Sequence, residues 1–118
     1  MPAVDGGPVL VVDMGAELTE VALLADGLIA DARQAYTGLT DLEPDALPAG
    51  LAVGALDMIA AIWREDRHGA VRAALRRGPV LIGGGALRSD VTGLIGPRLG
   101  VTVRTRPGPA PFVPERLR

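Results

Sequence analysis

Two glycine-bearing turns, each placed where a short apolar run stops, constrain this 118-residue chain more than any other feature. The first run, Pro8-Val9-Leu10-Val11-Val12, stops at Asp13 and passes through Met14-Gly15-Ala16-Glu17-Leu18 into Thr19-Glu20. The second, Pro79-Val80-Leu81-Ile82, stops at Gly83-Gly84-Gly85 and passes through Ala86-Leu87-Arg88 toward a helical stripe. Short apolar runs rich in β-branched residues favour strands buried on both faces. Both turns therefore sit where the chain leaves a sheet.

The pattern between them completes the expected fold. Leu18–Leu24 alternates, with Thr19, Val21 and Leu23 on one face and Glu20, Ala22 and Leu24 on the other. Ala25-Asp26-Gly27 is a hairpin signal, and Leu28–Arg33 reads as a third strand. Residues 37–49, with Gly38, Pro44 and Pro48, read as a loop. From Leu51 the period becomes helical, and Leu56, Ile59, Ala60 and Trp63 define the expected core face. A polar break at 64–69 precedes a second helix, Ala70–Arg77, which Gly78 ends. After the glycine turn, Ser89 or Asp90 is the expected N-cap of a third helix, with a kink or restart at Gly96-Pro97 and Gly100 as its stop. Val101-Thr102-Val103 is the expected last strand. The order is β-β-β-α-α-β-α-β: one α/β domain over 1–118, a mixed five-stranded sheet with a core of about 8–105 and a Pro-rich tail at 107–118.

Composition narrows the chemistry. The chain has no cysteine and one histidine, which excludes thiol catalysis, cysteine-held zinc and a multi-histidine metal site within one chain. All twelve basic residues are Arg, so a lysine phosphate loop and a Schiff-base lysine are excluded. Ser89 is the only serine, and its context does not suggest a triad with His68. A net charge of -2 gives no general pull toward nucleic acid. No apolar run reaches the length of a membrane span, and Met1-Pro2-Ala3-Val4-Asp5 lacks a basic leader, so a cytoplasmic location is expected. His68 reads as a surface histidine and Trp63 as core. Arg64, Arg67, Arg72, Arg76 and Arg77 read as a solvated face.

What remains is backbone and carboxylate chemistry at the two turns. A tight turn beside Asp13 can present N–H groups to phosphate, while the carboxylate holds a hydrated Mg²⁺. Glycines at a strand–helix junction let a ligand approach the backbone and the helix start. Each turn also has a plain structural reading, as a hairpin corner or a tight connection. The second is neither a dinucleotide fingerprint, since Arg88 stands where the last glycine would fall, nor a lysine-bearing phosphate loop.

Taken in order, the pair resembles the second half of the actin/sugar-kinase/heat-shock-chaperone ATPase superfamily, and within it the MreB-like, bacterial-actin members with a ribonuclease-H-like fold. Asp13, Gly15, Thr19 and Glu20 match that superfamily's second phosphate motif, and Gly83–Leu87 match its adenosine motif. The resemblance spans about residues 8–105. It implies ATP or ADP with Mg²⁺ as ligands, Asp13 as a metal carboxylate acting through water, and phosphate-side contacts at Gly15, Ala16, Glu17 and Thr19. It implies adenosine-side contacts at Gly83, Gly84, Gly85 and Ala86, with Arg88 beside them, and a role near cell shape and the cytoskeleton.

The departures bear on activity. Ala16 and Glu17 replace glycines, Leu18 replaces threonine, and Glu17 brings negative charge toward the phosphates. Like unit charges about 4 Å apart repel by roughly 1 kcal/mol in water and about 4 kcal/mol at an intermediate dielectric. One Asp-x-Gly hairpin stands where the superfamily uses two, in two domains, so hydrolysis by one chain is not expected. The competing expectation is a non-catalytic module that has lost nucleotide binding and docks on itself or on a full-length actin-like homologue. A third is a truncated product without a role of its own.

Overall fold

Strand β1 (Val9–Met14) is the axis of the sheet. It pairs antiparallel with β2 (Thr19–Ala25), which pairs antiparallel with β3 (Leu28–Ala35). On its other edge β1 runs parallel to β4 (Val80–Ile82), which runs parallel to β5 (Arg104–Arg106). The order is β3-β2-β1-β4-β5. This is a computed structural model, and it describes residues 7–41, 49–66 and 69–106. The expected readings of His68, Arg67, the Pro-rich tail and loop residues 42–48 lie outside the described residues.

The local rules explain most boundaries. Asp26 and Gly27 both have positive φ, 54° and 79°, which is the backbone a two-residue turn needs to follow strand twist. The alternation expected for β2 holds: Val21 and Leu23 enter one core cluster, Ala22 and Leu24 the other. Helices α1 (Ala49–Arg64), α2 (Ala70–Arg77) and α3 (Ser89–Leu99) each bury one apolar stripe in the first cluster, against Leu10, Val12, Met14 and Leu81. The second cluster holds Val9, Val11, Val80 and Ile82 on the opposite face. Asp66 starts α2: its carboxylate oxygens accept the N–H groups of Ala70 and Val71 at 3.2 and 3.1 Å.

Four expectations change. The buried stripe of α1 is Leu51, Ala52, Ala55, Ile59 and Ile62. Trp63 is instead 44% exposed, with the Arg72 guanidinium 5.6 Å from its ring centre. Because α1 is apolar almost all round, several faces satisfy a helical period, and the sheet selects one. Helix α3 starts at Ser89 with Arg88 as the flanking residue, so neither Ser89 nor Asp90 is the N-cap. The helix also continues through Pro97, whose missing N–H falls near the C-terminal end, and Gly100 closes it in the left-handed region. The last strand lies at Arg104–Arg106 rather than 101–103, because Arg104 supplies the pairing. Its N–H donates to Pro79 O at 2.9 Å, and its guanidinium donates twice to Gly78 O. Val103 packs against the core between α3 and the sheet.

Candidate functional site

The topology brings the two turns together. Strands β1 and β4 are parallel neighbours with Asp13 in register with Ile82, so both strands leave the sheet side by side at the same end. Open sheets containing parallel strands bind ligands at such C-terminal strand ends. Contact is direct: a Cβ added at Gly83 would lie 2.7 Å from Asp13 Oδ1 and 2.8 Å from Met14 O, and Gly83 has φ of +80°. No other residue fits there without displacing the carboxylate. Gly85 is buried with its α-carbon side against Met14, and Gly84 is exposed beside Leu39. The glycine run therefore lets the second turn close on β1.

Asp13 also faces Glu20 across the β1–β2 ladder. The two carboxylates belong to the face of the second cluster, and Glu20 is only 4% exposed. With Gly15, Ala16, Glu17 and Leu18 they line an open cleft of about 340 Å³. Glu20 matches the phosphate motif yet does not figure among the expected contacts; its pairing with Asp13 appears only once the strand register is known.

A segment not singled out in the sequence supports the hairpin. Thr19, buried, donates its hydroxyl to Thr37 O at 2.8 Å. Leu39 N–H donates to Gly15 O at 3.0 Å, and Thr40 donates both its N–H and its hydroxyl to Ala16 O at 2.8 Å. Gly38 permits this approach, since a Cβ there would lie 2.5 Å from Ala16 O. Leu39 touches Gly84 as well, so Thr37–Thr40 braces both turns. Only Gly38 between two threonines hints at this in the sequence.

The donors expected to meet phosphate are partly engaged already. Gly15 N–H donates to Leu18 O at 2.9 Å and closes the hairpin. Ala86 N–H donates to Gly83 O within a short 3-10 turn, Gly84–Leu87, that precedes α3. The Arg88 guanidinium forms a fork on Asp90, at 3.1 and 2.6 Å. Those hydrogen bonds hold the Asp90 carboxyl below the usual carboxylate range and raise the Arg88 guanidinium. Ala16 and Glu17 form the exposed hairpin tip. Among the described residues, the cleft is thus lined by three carboxylates and no arginine. That donor set suits a hydrated divalent cation and suits polyphosphate only together with one. Among the described residues, no group of three acidic or histidine side chains is placed to cage an ion directly.

A mixed sheet in this order, with helices on it and two turns side by side at its parallel centre, has the fold of an actin-like ATPase half-domain. The expected superfamily fold is met at that level. MreB 5 of Spiroplasma citri bound to AMPPNP superposes with a TM-score of 0.60 at 12% identity, covering 86% of this chain and 48% of that one. A structure of the PilM–PilN type IV pilus biogenesis complex gives a TM-score of 0.51 at 22% identity, covering 86% and 36%. The chain spans about half the length, or less, of these two structures. No family model and no curated protein matches the sequence. Among the described residues, no helix is long and apolar enough to cross a membrane.

Proposed function

We propose that this chain is an actin-fold half-domain that binds an adenine nucleotide, ATP or ADP, with Mg²⁺ at the ends of β1 and β4. The observation that supports the reading is the close approach of Gly83 to Asp13, which brings the hairpin and the glycine turn side by side. The AMPPNP in the MreB 5 structure supports the same ligand class on the same fold. Asp13 would hold the metal through water, and the Ala16–Glu17 tip would face the phosphates. Gly83 and Gly84 would lie on the adenosine side. Bound Mg²⁺ would offset the negative charge that Glu17 and Glu20 add beside Asp13. The reading is of binding rather than turnover, because the one described Asp-x-Gly hairpin would line only one side of a nucleotide. A role in cell shape or filament organisation belongs to the same proposal.

Equilibrium titration with a fluorescent ATP analogue tests it. Binding is expected with Mg²⁺, and weakening is expected in EDTA or after Asp13→Asn. No binding at millimolar nucleotide and Mg²⁺ would remove the site assignment and leave the fold untouched.

A second reading is favoured by one specific set of contacts. Gly15 N–H, Ala86 N–H and Arg88 are all satisfied within the chain. On that reading the module has lost its nucleotide and acts by docking on itself or on a longer actin-like protein. Nucleotide-independent self-association in sedimentation would support it.

A further inference from the structure

The helical layer carries a feature that neither turn uses. Leu56, Trp63, Leu75 and Leu99, from all three helices, line a groove of about 320 Å³ on the outer side of the layer, rimmed by Arg64 and Arg98. Val53, one turn before Leu56, extends the apolar strip and is exposed. Trp63 is half-exposed here rather than sealed in the core, and Arg72 lies over its ring.

Charge is unevenly divided around this groove. The three helices contain five arginines and two acids, Asp57 and Asp90, in a chain whose net charge is -2. Asp90 is already held by Arg88. Arg64, Arg72 and Arg98 make no ion pair with any described residue. Arg72 stacks over Trp63 and Arg98 donates to Leu94 O, but none of the three guanidinium groups holds a carboxylate among the described residues, so the apolar floor beside them is complementary to a segment that offers aliphatic anchors and carboxylates together. Trp and Arg are also the residue types that dominate binding energy at protein interfaces.

We propose that this groove docks an acidic amphipathic segment of a partner protein, with aliphatic side chains on Trp63 and Leu56 and carboxylates on Arg64, Arg72 and Arg98. The groove is concave and Trp63 lines it, which favours an inserted segment over a flat lipid surface. The proposal does not depend on nucleotide binding, since the groove lies on the helical layer and the strand-end cleft shares no described residue with it.

Trp63 is the only tryptophan, so its emission reports the groove directly. The full chain is used to select Trp-free clones from a displayed library of random peptides, with counter-selection on an Arg64→Glu/Arg98→Glu variant. The expected clones combine Asp or Glu with aliphatic residues and shift Trp63 emission to the blue. They are expected to lose about tenfold in affinity on the charge-reversed variant, and to keep most of it on Arg64→Lys/Arg98→Lys. Raised salt is expected to weaken them. Clones without acidic bias, equal affinity for the charge-reversed variant, or a failure to obtain clones that move Trp63 emission would overturn the proposal. So would a Trp63 shift produced by phosphatidylglycerol vesicles and by no peptide.

Discussion

At the scale of the residue, backbone clearance separates glycines that look alike in the sequence. Gly38 lies against Ala16 O, and Gly54, in α1, has nothing within 4 Å of where a Cβ would stand. Gly38→Ala is therefore expected to destabilise the fold by about 1–3 kcal/mol through overpacking. Gly54→Ala is expected to stabilise it by about 0.5–1 kcal/mol by restricting the unfolded chain. Urea denaturation of both variants checks the pair, and equal effects would contradict the assignment. The Arg88–Asp90 fork gives a pH prediction. Asp90 has a lowered pKa in the fold, so its small contribution to stability is present above the ordinary carboxylate range and fades as pH falls through the lowered value. An NMR titration should place Asp90 below that range, and Arg88→Ala should raise it toward the range, the backbone N–H groups of Asp90 and Val91 still holding it down in part. The sequence makes Asp13 and the glycine run visible as chemistry. It does not show that Gly83 closes on Asp13, because that contact depends on pairing two strands about seventy residues apart.

At the scale of the element, the legible parts are those fixed by local chemistry. The Asp26-Gly27 turn, the β2 alternation and the span of α2 all follow from a few neighbouring residues. The misread parts are those where tertiary contacts choose among near-equal options. Helix α1 offers apolar residues on most of its surface, and only packing on the sheet makes Ile59 and Ile62 core and leaves Trp63 half-exposed. Burying each of those isoleucines contributes about 1.5–3 kcal/mol, enough to decide the rotation of the helix. Strand β5 is set three residues later than its valines suggest, because Arg104 rather than Val101 meets the carbonyls of Gly78 and Pro79. The start of α2 provides a direct check. Asp66→Ala removes the acceptor of two helix N–H groups and is expected to cost about 1 kcal/mol of stability. A loss near zero in thermal or urea unfolding would show that the cap is not needed.

At the scale of the molecule, two surfaces have different characters. The strand ends gather carboxylates around a glycine-lined contact, and the helical layer gathers arginines around an apolar groove. A metal–nucleotide complex suits the first, and an acidic segment the second. The link from fold to function runs through the 3-2-1-4-5 strand order, which alone places Asp13 beside Gly83. Amide NMR of the full chain during titration with ATP, with and without Mg²⁺, tests that link most directly. The account predicts Mg²⁺-dependent shifts concentrated in Asp13–Thr19 and Gly83–Arg88, moving together with one binding constant. Unchanged spectra at millimolar ATP and Mg²⁺, or shifts in only one of the two turns, would contradict it.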